Sequence, residues 1–351
     1  MMEQGVLFSR NLLFSIGIFF SHTLHANNVP LVFFNWADYM SPEILAEFEQ
    51  ISGIQVKEIY YDSDEGRDEV LALKNGKGFD LILTSGLSLK TYVKQAWLAP
   101  FPDVLPQSLL HIDDIWRQSY PESKQYAVPY FWGTLGVAYR QDLVSSPINS
   151  WNDFFELGQN EKGSINFINS SREVFGAALK AKGHSLNSEV NGELDAAFNL
   201  LERVAPNVAS FNYVDLDETS SLVSGDIKAA MMYSGDALAL QEHNEDIAYI
   251  LPSEGSNIWV DFITISSSSK QKEAALAFIA FLNRPNVAAR LAEYVYYASP
   301  NKAARALLDH DFLQNNLVYP DAGSLENSEF FHELPARTLR RYNQKFQQLI
   351  D

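Results

Sequence analysis

The sequence predicts an α/β protein of two domains, with the chain passing between the domains twice. Three observations predict this class. A chain of 351 residues is longer than one small hydrophobic core usually supports. Apolar strand-like runs alternate with helical patterns, which is typical of βαβ units and a mainly parallel sheet. Two long extended segments, at 126–139 and 251–265, interrupt this alternation and are candidate crossovers between the domains.

The first elements have clear start and stop signals. A buried strand at 29–34 precedes Ser41, a good N-cap, and Pro42 at the first helical position. Gly53 is placed to end that helix. The chain then predicts, in order, a strand at 54–61, a helix through 70–73 and a strand at 79–83. Four acidic residues near the end of the second strand are expected to form a solvated acidic loop: Glu58, Asp62, Asp64 and Glu65.

Beyond the first crossover the alternation resumes. Strands are predicted at 165–168 and 227–233, each followed by a helix, and the last third is helical at 274–282 and 287–294. Two crossings imply that the first domain is completed by sequence that follows most of the second. We therefore expect domain 1 to comprise 27–134 and 258–303, and domain 2 to comprise 135–257 and 304–351.

The first 26 residues have the pattern of a secretory signal peptide. Arg10 precedes an apolar run at 12–20, and Ala26 is a plausible cleavage point. The run is shorter than the roughly 20 residues that a membrane span needs. We expect a signal peptide at 1–26 and an exported protein that works in the periplasm.

Composition excludes several classes of function. The absence of cysteine excludes a disulfide framework, a thiolate metal site and a catalytic thiol. No His-Glu-x-x-His spacing, nucleophile elbow or phosphate loop is present, so we expect no metal, no cofactor and no enzymatic activity. A formal net charge of -18 argues against a nucleic-acid partner and is compatible with a cationic ligand. We expect a monomer.

A Trp-x-Asp triplet next to an apolar strand-like run occurs twice. Residues i and i+2 of an extended chain share a face, so each triplet would place an indole beside a carboxylate. That pair suits an organic ammonium ion, which the ring attracts and the carboxylate hydrogen-bonds. The two triplets are Trp36-Ala37-Asp38 and Trp259-Val260-Asp261. A third copy, Trp151-Asn152-Asp153, follows Ser150 at a helix start, where Asp153 would simply complement the helix dipole.

Other candidate ligand residues lie at strand-to-helix turns, where open α/β sheets bind ligands. They are Ser85, Glu173, Tyr233 and Asp236. Each candidate also has a purely structural explanation. Trp36, Trp259 and the tyrosines could pack in the core, and Asp38 could bind the amides of the following helix. Glu173 could complete a capping box with Ser170, and Asp236 could be an N-cap.

Taken together, these residues resemble the bacterial periplasmic polyamine-binding proteins, the spermidine/putrescine solute-binding family of ABC transporters. The resemblance covers nearly all of the chain after residue 26 and is specific in its order and spacing. It is carried by the segments 35–39, 78–81, 129–133, 150–153, 172–175, 233–236, 259–261, 299–304 and 319–322.

The resemblance implies a type II periplasmic-binding-protein fold, with two α/β domains joined by two crossover strands and a ligand cleft between them. In that family an aromatic box holds the methylene chain and carboxylates hold the ammonium groups. The matching aromatic positions are Trp36, Tyr39, Tyr233, Trp259 and Tyr297. The matching acids are Asp38, Glu173, Asp236 and Asp261. The implied partners are a polyamine ligand and a membrane permease.

The sequence also departs from the family pattern. Leu87, Ser170 and Phe331 stand where the spermidine-binding branch has Tyr, Asp and Gln, whereas Ser-Gly-Asp at 234–236 resembles the putrescine-binding branch. Some members of the family are sensors that report norspermidine or spermidine to a membrane-bound cyclic-di-GMP enzyme controlling biofilm formation. Two alternatives therefore stay open for the membrane partner, a permease and a signalling receptor, and the preferred amine is also open.

Overall fold

The structure is a computed structural model, and it describes residues 29–350. The predicted signal peptide at 1–26 lies outside the described residues. Within this described range, eight strands form the sheet framework: β1 (Leu31–Trp36), β2 (Val56–Tyr61), β3 (Leu81–Ser85), β4 (Ala127–Arg140), β5 (Ile165–Asn166), β6 (Ala229–Tyr233), β7 (Ile247–Ile250) and β8 (Ile258–Ile265).

The strand order is β2-β1-β3-β8-β4-β6-β5, and β7 pairs with β4 outside this path. The pairs β1–β2, β1–β3 and β5–β6 are parallel, whereas β8 runs antiparallel to both β3 and β4. Strand β4 pairs with β8 along Ala127–Thr134 and with β6 along Leu135–Tyr139. This one strand therefore continues from one group of strands into the other, as the long extended segment at 126–139 predicted.

Helices connect the strands and cover the sheet. The helices of eight or more residues are α1 (Pro42–Ser52), α2 (Asp64–Lys74), α3 (Gly86–Lys94), α6 (Trp151–Asn160), α7 (Ser171–Ala181), α8 (Asn191–Val204), α10 (Ser234–Gln241), α11 (Lys272–Leu282), α12 (Pro285–Val295) and α15 (Ala336–Ile350). The short ones are α4 (Asp114–Arg117), α5 (Ser123–Tyr126), α9 (Ser221–Ser224), α13 (Lys302–Arg305) and α14 (His310–Gln314), and 3₁₀ turns occupy Gln107–His111 and Ala205–Asn207.

The predicted helix signals are largely confirmed. Helix α1 begins at Pro42 and is closed by Gly53, whose φ of 72° gives it the left-handed conformation that glycine adopts readily. Helix α6 begins at Trp151, and Ser150 Oγ accepts a hydrogen bond from the amide of Asp153. The third Trp-x-Asp triplet is therefore a helix start, as its structural explanation predicted.

Two predictions about local structure were wrong. The strand predicted at 165–168 is reduced to β5, two residues long. The predicted acidic loop does not exist as such, because Glu58 lies within β2 and Asp64 and Glu65 form the first turn of α2. The reason is Ser63, whose Oγ caps α2 and allows the acidic residues to follow as favourable first-turn charges.

The hydrophobic interior separates into two large clusters. The first contains buried residues between 31 and 132 and again between 258 and 319, and the second draws on 135–231 and 334–346. Along β4 the change falls between Trp132 and Leu135. The exact division into domains stays a prediction, and the packing of Ala304 and Tyr319 in the first cluster favours a later boundary than residue 303.

Within residues 29–350, no helix combines the length and the apolar character needed to cross a membrane.

Candidate functional site

The candidate site is built at the ends of strands. Trp36 is the last residue of β1, Ser85 the last of β3 and Tyr233 the last of β6. Asp261 lies on β8, directly opposite Ser85 in the antiparallel register. Because the loops that follow such strand ends converge at one edge of an α/β sheet, side chains far apart in sequence meet there.

Five aromatic residues form a continuous row, called here the aromatic row. Tyr39 lies 5.8 Å from Tyr297, and Tyr297 lies 4.9 Å from Trp259, measured between ring centroids. Trp259 is 6.0 Å from Tyr233, which is 5.9 Å from Tyr213. The first three contacts are edge-to-face, with interplanar angles of 77°, 80° and 80°. Trp259 and Tyr233 are half-buried, so part of each ring stays available to a cation or a methylene chain.

Trp36 lies outside the aromatic row. Its ring packs 4.5 Å from that of Tyr61, its register partner on β2, and it is half-buried. Trp259 is also half-buried, so neither indole is enclosed in a hydrophobic interior.

The first Trp-x-Asp triplet does not have the predicted extended geometry. Strand β1 ends at Trp36, and Asp38 has a φ of 55°, in the left-handed region. The rule that residues i and i+2 share a face applies only to extended chain, so the prediction was wrong for this triplet. Asp38 is exposed, and its charge acts on Glu58 and Tyr60.

The second triplet has the predicted geometry, because Trp259 and Asp261 both lie within β8. The Asp261 carboxyl is half-buried. Burial is the main cause that raises its pKa, to about 7, with the charge of Asp64 acting in the same direction and that of Arg67 opposing it. A proton or a cation is therefore needed to stabilise this group near neutral pH.

Glu173 is the most deeply buried acid of the site, at 6% exposure. Its Oε1 accepts a 2.8 Å hydrogen bond from Asn257 Nδ2 and a 3.5 Å bond from the Tyr233 hydroxyl. Burial raises its pKa to about 7, against the opposing effect of Asn257. The capping-box explanation holds only in part, since Ser170 Oγ accepts from the Glu173 amide at 3.4 Å but the Glu173 side chain goes to Asn257.

Asp236 differs from the other acids because both its oxygens have protein partners. Tyr297 donates to Oδ1 at 2.6 Å, and Tyr213 donates to Oδ2 at 2.5 Å. Burial raises the Asp236 pKa, and these two hydroxyls oppose that rise. Helix α10 begins at Ser234, so Asp236 lies in the first turn and is not the N-cap.

Several buried polar atoms of the site have no hydrogen-bond partner within the described part of the chain. They are Glu173 Oε2, Ser85 Oγ and Trp259 Nε1. Buried polar groups in native proteins are almost always paired, by protein, water or ligand. These atoms lie near the carboxyls of Glu173 and Asp261, so donors and acceptors are available to a polar ligand at this place.

The structure therefore brings together Tyr39, Ser85, Glu173, Tyr233, Asp236, Trp259, Asp261 and Tyr297, and leaves Trp36 beside Tyr61 and Asp38 exposed. Sequence reasoning missed Tyr213 and Asn257, which contact Asp236 and Glu173. No motif surrounds either residue, so only the folded contact reveals them.

Two of the three departures from the family pattern have structural roles. Ser170 caps α7. Phe331 is buried, and the Arg172 guanidinium lies 4.4 Å above its ring. The third, Leu87, is a half-buried residue in the first turn of α3.

The strand order, the sheet-spanning β4 and the convergent site define a solute-binding α/β fold. Residues 43–318 match the profile of the bacterial extracellular solute-binding protein family. The chain belongs to this family, within the group that contains the periplasmic polyamine-binding proteins. The predicted type II two-domain fold is confirmed.

Individual relatives are similar along nearly their whole length. The spermidine/putrescine-binding periplasmic protein of Escherichia coli (strain K12) is 30% identical over 328 residues, covering 93% of each chain. The norspermidine sensor of Vibrio cholerae serotype O1 is 28% identical over 318 residues, covering 90% of this chain and 87% of the sensor. The crystal structure of the spermidine/putrescine ABC transporter substrate-binding protein from Streptococcus pneumoniae superposes with a TM-score of 0.81 at 29% identity, covering 91% of this chain and 98% of that one.

Proposed function

We propose that this protein binds a protonated di- or triamine, such as putrescine, spermidine or norspermidine, in the candidate site. It would then present the closed form to a membrane partner. The observation that carries the proposal is the pair of carboxyls beside the aromatic row, the buried Glu173 and the half-buried Asp261. Each has a pKa raised to about 7, so the ionised form of each carboxyl is poorly stabilised in the ligand-free protein.

A linear polyamine supplies what these groups lack. Its ammonium groups would donate charge-assisted hydrogen bonds to the two carboxylates. Its methylene chain would lie against ring faces of Trp259 and Tyr297, where cation–π attraction adds about 0.5–2 kcal/mol per aromatic. Closure would follow from contacts that exist only when both sides of the site touch the ligand.

We further propose export by the signal peptide at 1–26 and work in the periplasm as a monomer without catalytic activity. The membrane partner would be an ABC permease, which the similarity to transport proteins favours. A second candidate is a signalling receptor, because one relative is a norspermidine sensor. Co-purification from membranes in the presence of the amine distinguishes a permease from a signalling enzyme.

Calorimetric titration with putrescine, spermidine and norspermidine tests the binding proposal. We expect saturable binding of at least one amine, accompanied by a higher unfolding temperature, because a ligand that binds only the folded state stabilises it. If all three amines give neither heat nor a thermal shift, the proposal is wrong. Breakdown of the amine during incubation would contradict the absence of catalysis.

Asp261→Ala identifies the site. Losing this carboxylate should weaken binding by about 2–5 kcal/mol, since the ligand ammonium loses its charged partner. Asp153→Ala is the matched control, because Asp153 belongs to the Trp-x-Asp triplet at the start of α6 and should leave affinity unchanged. Equal affinities of the two variants would remove Asp261 from the site.

A further inference from the structure

A fully buried arginine lies beside the candidate site. Arg67, on α2, has an exposure of 0%. Its guanidinium donates to Ser88 Oγ at 2.9 Å and to the Tyr92 hydroxyl at 2.8 Å, and so ties α2 to α3. Two carboxylates pair with it, Asp64 at 2.5 Å and Asp68 at 3.0 Å. A buried cation requires such partners, because desolvation without them costs several kcal/mol, on the order of 3–5.

Contacts place this ion-pair cluster at the same sheet edge as the site. Helix α2 starts shortly after β2 ends at Tyr61, and the Arg67 guanidinium lies 5.3 Å above the Tyr61 ring. Tyr61 in turn packs against Trp36. Helix α3, which Arg67 holds through Ser88, begins directly after Ser85, the register partner of Asp261.

The two aspartates have the same partner but different surroundings. Their side chains are similarly exposed, at 44% for Asp64 and 48% for Asp68. The charge of Asp64 acts on Asp261 and Glu173 and raises the pKa of both carboxyls. The charge of Asp68 acts on Arg67 and Tyr92 instead. Asp64 is also the first residue of α2, three residues after β2 ends at Tyr61, whereas Asp68 lies one turn further along the helix. Asp64 is therefore the member of the pair nearer to the strand ends that form the site.

We propose that Asp64, held in place by Arg67, is an additional carboxylate of the amine site and favours a triamine over a diamine. This inference rests on the proposed function. Asp236 already accepts hydrogen bonds from two tyrosine hydroxyls. Glu173 and Asp261 are therefore the acids whose negative charge still needs a positively charged partner. Two carboxylates match the two charges of a diamine, whereas the additional charge of a triamine needs another one. Asp64 supplies it, because one of its oxygens is fixed by Arg67 and its side chain stays partly exposed.

Affinities of Asp64→Asn and Asp68→Asn for spermidine and putrescine test this assignment. Each variant keeps one carboxylate on Arg67, so Asp68→Asn is a matched control. For Asp64→Asn we expect a loss of at least tenfold for spermidine and less than threefold for putrescine. For Asp68→Asn we expect changes below twofold with both amines. Unchanged spermidine affinity in Asp64→Asn, equal losses for the two amines, or equal losses in the two variants would each overturn the proposal.

A ligand-free measurement separates this inference from the proposed function. Carbon-13 NMR titration of the empty protein should show the Asp261 and Glu173 carboxyls titrating at lower pH in Asp64→Asn than in the wild type, with no change in Asp68→Asn. Unmoved titrations would overturn the placement of Asp64. If the wild type bound no amine, the proposed function and the triamine preference would both fail, whereas lowered titrations would still place Asp64 at the site. The other groups acting on Asp261 are identical in both variants: Arg67, Tyr39, Tyr61, Tyr120, Tyr130 and Tyr233.

Discussion

The Tyr297 hydroxyl donates a 2.6 Å hydrogen bond to Asp236 Oδ1 and so ties the segment after α12 to the first turn of α10. The partners are 61 residues apart, and Tyr297 packs in the first hydrophobic cluster, whereas α10 follows β6 on the other side of β4. With Tyr213 on its second oxygen, Asp236 connects the two sides of the site without a ligand. This sets Asp236 apart from Glu173 and Asp261.

A double-mutant cycle measures this connection. Tyr297→Phe, Asp236→Asn and the double variant should give a coupling free energy of about 1.5–3 kcal/mol for unfolding, the range for a hydrogen bond to a charged group. Denaturant unfolding of the four proteins provides the values. Coupling that does not differ from zero would show that the bond adds nothing to the empty protein.

Amine affinity should rise with pH between about pH 6 and pH 8. Glu173 and Asp261 have pKa values of about 7 in the empty protein, so at pH 6 most of both groups are protonated. An ammonium ligand needs both carboxyls ionised, so binding releases their protons. As the pH falls below 7, the affinity should therefore decrease by up to about tenfold per pH unit for each carboxyl. Calorimetry at pH 6 and pH 8, in buffers of different ionisation enthalpy, measures both effects. Affinity independent of pH would contradict the raised pKa values of these two acids.

Asp261→Asn should stabilise the empty protein at pH 8. The folded-state pKa of Asp261 is raised from 3.8 to about 7, so the fold binds the proton more tightly than the unfolded chain does. The stability from this group is present below about pH 4 and is lost as the pH rises through 7. The uncharged amide of Asn avoids that loss. The variant should therefore be more stable than the wild type by about 1–3 kcal/mol at pH 8 and by less at pH 5.

Chemical denaturation at the two pH values provides this comparison. Asp38→Asn, at an exposed position, is the control. It should leave the difference in unfolding free energy between pH 8 and pH 5 unchanged. A variant Asp261→Asn that is less stable than the wild type at pH 8 would contradict the assigned direction.

Gly133→Ala should displace the Trp259 indole. A Cβ at Gly133 would come within 2.6 Å of Trp259 Cζ2, closer than nonbonded atoms approach. We expect a lower amine affinity and changed tryptophan fluorescence, at a stability cost of about 1–3 kcal/mol, the usual range for overpacking. Gly192→Ala is the control, because a Cβ there meets no atom within 4 Å. Equal affinities of the two variants would show that the Trp259 position does not affect binding.

The sequence was sufficient to predict the fold class and most elements, because the signals are local. Pro42 and Gly53 bound α1, and the extended run at 126–139 is β4. Local signals failed where a contact distant in sequence decides the outcome. The strand predicted at 165–168 becomes β5, whose two residues pair with β6, and the chain then turns toward α7.

The candidate site was predictable to the extent that its residues lie in regular strands. Trp259 and Asp261 share a face because both are within β8, whereas Asp38 lies beyond the end of β1 in a left-handed turn. Tyr213 and Asn257 escaped prediction because their partners are 23 and 84 residues away. Asp64 was predicted to lie in an acidic loop, whereas it begins α2 and pairs with Arg67.

A crystal structure with spermidine bound would show whether Glu173 and Asp261 hold the amine. We predict an amine nitrogen at about 2.7–2.9 Å from a carboxylate oxygen of Asp261, the range of a charge-assisted hydrogen bond, and another beside Glu173 Oε2. The methylene chain should lie against Trp259 and Tyr297. An amine bound elsewhere, with Glu173 and Asp261 contacting only protein or water, would contradict this prediction.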